Sequence, residues 1–136
     1  MWGRTSDVPL ASAVAASCAV PGVWPPTTVQ RRRYIDGSVR SATNADLALG
    51  HDVVVVLAPD TGPGLNPASK GLAGEVPLLR THSQVLVITP DDAALDAIGP
   101  NPLDPEHRPA SARAGQRQGR ALTGALREIW PAPTTR

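Results

Sequence analysis

Asp36 and the two small residues after it, Gly37 and Ser38, are the part of the chain whose residue types could carry out chemistry. A carboxylate within hydrogen-bond reach of a serine hydroxyl can accept its proton and turn the oxygen into a nucleophile. An Asp-Gly pair after a short strand is also a common turn, in which the aspartate serves only the backbone. Asp36 is therefore a candidate general base or a turn residue.

The serines of the sequence do not offer Asp36 an obvious partner. A serine on a strand-turn-helix nucleophile elbow has a glycine two residues before it and another two residues after it. None of the eight serines has these glycines: Ser6, Ser12, Ser17, Ser38, Ser41, Ser69, Ser83 and Ser111. The 136 residues also contain no glycine-rich loop of the kind whose amides stabilise an oxyanion. A nucleophile for Asp36 is expected to come from elsewhere.

Two other kinds of site are disfavoured. Asp60-Thr61-Gly62 follows an apolar run, as the catalytic triplet of an aspartic protease does, but Pro59 directly before it and the α/β pattern around it oppose that interpretation. His51, His82 and His107 lack the partner spacing of a zinc site. Neither a metal nor a cofactor is predicted.

The elements that would position Asp36 follow an α/β pattern. Predicted in order are a helix over 10–18 capped by Asp7, strands over 27–30 and 32–35, a short helix up to 49 capped by Thr43 or Asn44, a strand over 53–58, a helix over 75–83, a strand over 85–88, a helix over 93–98 capped by Asp91 or Asp92, and an amphipathic helix over 109–130. The unbroken aliphatic strands favour a parallel sheet buried on both faces beneath helices, and such strands need neighbours on their outer edges.

The composition limits the classes of function. Hydrophobic residues make up 41% and charged residues 18% of the chain, which predicts a folded protein whose core, without Phe, is built from Val, Leu and Ala. A net charge of +1 gives no field that would attract nucleic acid. No leader or membrane-spanning run is visible, so we expect a cytoplasmic protein, and the Arg-, Ala- and Pro-rich composition suggests a bacterial source. Cys18, the single cysteine, lies in an Ala-rich helix and is predicted to be buried.

The segments on both sides of Asp36 resemble bacterial patatin-like phospholipases. The similarity runs over residues 13–26, where a helix of small residues ends in Pro21-Gly22 before Pro25-Pro26, and over residues 33–48. There, Asp36-Gly37-Ser38 stands where that family has Asp-Gly-Gly or Asp-Gly-Ala, and a loop of small residues leads to Asn44. The resemblance continues through residues 53–59, 85–91 and 101–105.

The resemblance implies that residues 1–136 are the C-terminal portion of a three-layer patatin-like α/β domain that lacks the N-terminal half of its sheet. Asp36 would be the general base of a Ser-Asp dyad for lipid ester hydrolysis, Gly37 would allow a sharp turn after it, and Ser38 would place a hydroxyl in a tight space. Arg40 and Asn44 would contact the substrate or cap loops. Because the family's serine lies N-terminal to the aspartate, we expect this chain to be inactive unless a second polypeptide supplies that half; the alternative is a non-catalytic interaction module on the same scaffold.

Overall fold

The computed structural model describes residues 5–59 and 68–130. It divides the chain into two compact units. Unit 1 consists of Met1–Asn44 and Gly62–Glu75, and unit 2 of Ala45–Thr61 and Val76–Arg136. The elements form a mixed α/β structure that includes a parallel sheet, as the sequence pattern predicted.

Unit 1 begins with helix α1, Leu10–Ser17, followed by an antiparallel pair of strands, β1 (Thr27–Val29) and β2 (Arg32–Tyr34). Gln30 and Arg31 connect the two strands, and both have positive φ, the arrangement that matches strand twist in a two-residue hairpin. The predicted hairpin is confirmed, and it delivers the chain directly to Asp36.

Helix α1 differs from its prediction in two ways. Pro9 occupies the N-cap position and no side chain caps the helix, so the predicted Asp7 cap is wrong. The helix is also largely exposed, with Leu10 80% and Val14 53% accessible. It packs against β1, which has only three residues and covers one side.

Cys18 is exposed, which corrects the prediction of a buried thiol. It follows the last residue of α1, and the buried side chains at this end of the helix are Ala16 and Ala19. An Ala-rich sequence gives no hydrophobic contrast between helix faces, so it could not show which side would be covered.

Unit 2 contains the parallel pair β3 (Val53–Leu57) and β4 (Gln84–Ile88), with Val53 opposite Gln84 and Leu57 opposite Ile88. Helix α2, Gly71–Arg80, provides the connection that two parallel strands require. Helices α3 (Asp92–Ile98), α4 (Arg108–Ala121) and α5 (Thr123–Ile129) follow β4. The single helix predicted over 109–130 is thus two helices that meet at Leu122, where Gly119 and Gly124 lie on either side and weaken helix propagation.

The burial of β3 corrects the prediction that both of its faces are covered. Val54 and Val56 are buried, whereas Val53 and Val55 are half-buried and Leu57 is 68% exposed. All-aliphatic sequence cannot distinguish one covered face from two, because both faces carry the same kind of side chain.

Helix α2 begins four residues before its predicted start. Ser69 accepts a hydrogen bond from the backbone N–H of Gly71 through its hydroxyl, and Gly74 N donates to Lys70 O. This earlier start places Pro77 inside the helix, where its ring is exposed to solvent. The sequence analysis had treated Pro77 as a first-turn residue, the position where proline is tolerated best.

The buried hydrophobic side chains of the described residues are Ala, Val and Leu, as the absence of Phe predicted. Leu79 of α2 is the largest that is fully buried. Among the helices of the described residues, none combines the length and the apolar character needed to cross a bilayer.

Candidate active site

Asp36 lies two residues beyond β2 and is the N-cap of a 3-10 turn, Gly37–Val39. Its backbone N–H donates to Ala19 O at 3.0 Å, which ties the start of the turn to the segment after α1. One carboxylate oxygen, Oδ1, accepts the backbone N–H of Ser38 at 2.7 Å. The side chain is half-buried, so its carboxylate is both fixed by the backbone and accessible from one side.

Gly37 does not play the conformational part expected of it. Its φ is not positive, and it occupies the first position of the 3-10 turn, which other residues can also adopt. A Cβ at this position would meet Asn44 Nδ2 at 3.8 Å, an ordinary contact. The sharp turn that the sequence analysis assigned to glycine freedom is instead produced by the Asp36 cap.

The predicted site residues Asp36, Gly37 and Ser38 therefore come together in one capped turn. Ser38 is half-buried, and the bond that fixes the Asp36 carboxylate comes from its backbone N–H rather than from a serine hydroxyl. As a donor set, one backbone amide orients the carboxylate and leaves it free to accept a proton.

Arg40 and Asn44 bond to each other and to this turn. Asn44 Nδ2 donates to Gly37 O at 3.0 Å and to Ser41 O at 2.7 Å, and its Oδ1 accepts from Arg40 Nη1 at 2.8 Å. Asn44 has a φ of +49°, in the left-handed region that asparagine tolerates better than most residues. Of the two roles predicted for this pair, the geometry favours support of the loop.

The loop between Ser41 and Asn44 is anchored by buried polar groups. Ser41 is 3% exposed, and its hydroxyl accepts the backbone N–H groups of Thr43 and Asn44 at 3.4 and 3.2 Å. Thr43 Oγ1 donates to the carboxylate of Glu75, itself buried, at 2.7 Å. The Thr43 and Asn44 side chains thus serve unit 1, which corrects the prediction that one of them caps the next helix, the 3-10 helix Ala45–Ala48.

A cluster of Asp104, His107 and Ser111 in unit 2 was missed by the sequence analysis, which left His107 alone in a loop. His107 Nε2 lies 4.0 Å from Asp104 Oδ2, and His107 Nδ1 lies 3.1 Å from Ala97 O. The three residues are spaced three and four apart, a helical spacing that would have shown a shared face.

This cluster is not arranged as a Ser-His-Asp triad. The Ser111 hydroxyl lies 3.1 Å from Ala97 O and 2.9 Å from His107 O, and it donates to carbonyls rather than to the imidazole. A triad requires the opposite, a serine hydroxyl hydrogen-bonded to a ring nitrogen that takes its proton. The cluster instead satisfies a carbonyl in the last turn of α3 from residues at the start of α4.

Unit 2 also contains an apolar cavity of about 490 Å³ next to the carboxyl ends of β3 and β4. Leu57, Ile88, Ile98, Leu122 and Leu126 are among its lining residues, with Gln118 as a polar member. Gln118 Nε2 already donates to Thr89 O at 2.6 Å. The cavity contains no carboxylate and therefore no candidate base.

Within the described ranges, no group of three or more His, Cys, Asp or Glu side chains is placed to hold a metal ion. The aspartic-protease alternative, Asp60-Thr61-Gly62, lies outside the described residues.

Comparison with known proteins gives one match. No curated protein and no solved structure matches the chain. A family model described as patatin-like phospholipase matches residues 3–49, the segment that contains α1, the hairpin and the Asp36 turn. The resemblance predicted for residues 53–59, 85–91 and 101–105, and the assignment to the C-terminal portion of that family's domain, stay predictions. The match supports a relation to the patatin-like phospholipases for the segment in which Asp36 lies.

Proposed function

We propose that this chain carries the aspartate half of a patatin-like lipid acyl hydrolase site. Asp36 is the general base of a Ser-Asp dyad that hydrolyses lipid esters, and the nucleophilic serine and its oxyanion loop are supplied by polypeptide outside these 136 residues. The chain on its own is inactive. The proposal includes a bacterial, cytoplasmic protein with the partial three-layer patatin-like fold, and it involves no metal or cofactor.

The observation that carries the proposal is the fixed, accessible carboxylate of Asp36 inside the segment that the family model matches. A catalytic base must hold one orientation, because small displacements from the reactive geometry cost large factors in rate. The Ser38 N–H supplies that orientation without neutralising the carboxylate.

The chemistry follows from the acid–base character of the two groups. The carboxylate of Asp36 takes the proton of a serine hydroxyl as the serine oxygen attacks the ester carbonyl, and the alcohol leaves as the acyl-enzyme forms. In the second step Asp36 takes a proton from water, whose oxygen attacks the acyl-enzyme and releases the fatty acid. No serine of the 136 residues has the glycine spacing of a nucleophile elbow, so the acyl group has no evident acceptor within them.

A complementation assay tests this proposal. The purified chain is mixed with the serine-bearing N-terminal half of a bacterial patatin-like phospholipase, and hydrolysis of p-nitrophenyl butyrate is followed. We expect no turnover by either half and clear turnover by the mixture, which a serine-reactive fluorophosphonate should block.

The matched variant is Asp36→Asn, since asparagine keeps the oxygen that accepts the Ser38 N–H and loses only the basicity. Complemented D36N should have less than about 1% of the activity of the complemented wild type. Equal activity of D36N, or a lack of turnover in a mixture that gel filtration shows to be a complex, would contradict the proposal.

The alternative function, a non-catalytic interaction module, is favoured by one observation. Unit 2 lies almost wholly outside the matched segment and presents exposed apolar side chains beside a cavity, as binding surfaces do. Cooperative two-state unfolding of a monomer would support the module, and a molten, dye-binding state would oppose it.

A further inference from the structure

The peptide group between Gly37 and Ser38 is held at both ends. Its N–H, contributed by Ser38, donates to Asp36 Oδ1 at 2.7 Å, and its carbonyl, contributed by Gly37, accepts from Asn44 Nδ2 at 3.0 Å. A peptide group is planar, so fixing the direction of its carbonyl also fixes the direction of its N–H. The Asn44 side chain is therefore mechanically connected to the Asp36 carboxylate through a single rigid unit.

The Asn44 amide can adopt only one orientation in this setting. Its nitrogen faces the carbonyl oxygens of Gly37 and Ser41, and its oxygen faces the guanidinium of Arg40. The flipped amide would place an acceptor against two acceptors and a donor against a donor. The backbone N–H of Asn44 is also bonded, to the hydroxyl of Ser41 at 3.2 Å.

From this arrangement we propose that Asn44 is a positioning residue for Asp36, which sets the direction of the carboxylate through the Gly37–Ser38 peptide group. The consequence for catalysis rests on the proposed function, whereas the mechanical connection does not. Hydrogen bonds in a chain also polarise one another, so the Asn44 donor strengthens the Ser38 N–H as a donor to Asp36.

The connection is partial, because Gly37 O accepts a second hydrogen bond from the backbone N–H of Arg40 at 3.0 Å. Removing the Asn44 donor leaves the carbonyl with this partner. The expected effect is therefore a loosening of the Ser38 N–H bond rather than its loss.

Asn44→Asp is the variant that isolates the donor. It preserves the size of the side chain, its tolerance of the left-handed backbone and its contact with Arg40, but it replaces the Nδ2 donor with an acceptor. Asn101→Asp is the matched control, because Asn101 acts only through Oδ1, which accepts the N–H of Leu103 at 3.1 Å. Both variants add the same negative charge.

Amide hydrogen exchange of the isolated chain, measured by NMR, tests the connection. We expect the exchange of the Ser38 amide to be about three- to tenfold faster in N44D than in the wild type, the range that loss of one hydrogen bond produces. The Asp36 amide, which donates to Ala19 O outside this peptide group, should keep its wild-type rate, and N101D should change neither.

Two outcomes would overturn the proposal. An unchanged Ser38 rate in N44D would show that Asn44 does not control this peptide group. Equal acceleration of the Ser38 and Asp36 amides would show that Asn44 only holds the loop together. Asn44→Gly, which removes the side chain without strain at positive φ, should give the same Ser38 effect and guards against misfolding of N44D.

The catalytic consequence is tested separately in the complemented mixture. N44D should lower kcat about tenfold or more and leave KM nearly unchanged, because a misdirected base slows the chemical step rather than substrate binding. If the wild-type mixture has no activity, the proposed function fails while the exchange result still decides the role of Asn44. A higher KM at unchanged kcat in N44D would contradict a positioning role.

Discussion

The carboxylate of Asp36 has a structural task, capping the 3-10 turn, and the proposed chemical task of accepting a proton. Substitution can separate the two. Asp36→Ala removes the acceptor for the Ser38 N–H and should lower the free energy of unfolding by about 1 kcal/mol, as loss of an N-cap typically does. Asp36→Asn keeps an acceptor and should cost less than about 0.5 kcal/mol. Urea unfolding of both variants measures the difference, and equal destabilisation would show that the cap depends on charge rather than on the hydrogen bond.

At the residue scale, the sequence predicted the residues of the turn but not the contacts that hold it. Asp36 could be identified because a strand pattern and an Asp-Gly pair are local features. The bond from Asn44 to Gly37 spans seven residues and depends on a left-handed backbone at Asn44 and on a buried Ser41. No propensity or periodicity encodes such an arrangement, so the loop could only be assigned as capping or substrate-binding.

At the scale of elements, α2 offers a prediction about packing. Leu79 is fully buried, while its neighbour Leu78 is 47% exposed. Leu79→Ala should lower the free energy of unfolding by about 2–5 kcal/mol, because it removes a buried side chain and leaves a cavity. Leu78→Ala makes the same chemical change on the exposed side and should cost less than about 1 kcal/mol. Thermal and urea unfolding measure both, and similar losses would mean that the two faces of α2 are equally covered.

The junction after α3 gives a second prediction at this scale. Gly99 ends α3 with φ +72°, and a Cβ at Gly99 would lie 2.8 Å from His107 Cε1. Gly99→Ala should therefore destabilise the chain by about 1–3 kcal/mol through backbone strain, and by more if the imidazole cannot move. Gly50→Ala is the control, because its φ of +91° imposes strain while nothing lies within 4 Å of the added Cβ. Equal effects in unfolding experiments would show that His107 yields without cost.

The elements show which sequence signals sufficed. Aliphatic runs predicted β3 and β4, and Asp91 was correctly predicted as a cap, since its carboxylate accepts Ala94 N at 2.8 Å. The start of α2 and the break at Leu122 were missed. Both depend on small balances, a serine cap against an interior proline and two glycines in a helix, which local patterns cannot rank.

At the scale of the whole chain, exposure of apolar side chains is the property that sequence could not predict. The aliphatic character of β3 was read correctly, but how much of it is covered depends on what packs against the sheet. In unit 2, Leu57 and Trp130 are 68% and 57% exposed and line, with Leu126, an apolar groove of about 540 Å³. Exposed apolar clusters of this kind bind hydrophobic dyes and promote association.

Replacing Leu57 and Leu126 together with Lys should weaken both dye binding and self-association of the isolated chain. Each lysine keeps an aliphatic stem along the groove while it carries its ammonium into water, so the fold is expected to tolerate the change. ANS fluorescence should fall at least about twofold, and sedimentation should shift toward the monomer at equal concentration. Leu10→Lys is the control, because Leu10 is 80% exposed on α1 in unit 1 and does not line the groove. Undiminished dye binding by the L57K/L126K variant would mean that the groove is not the exposed apolar surface that governs the behaviour of the chain.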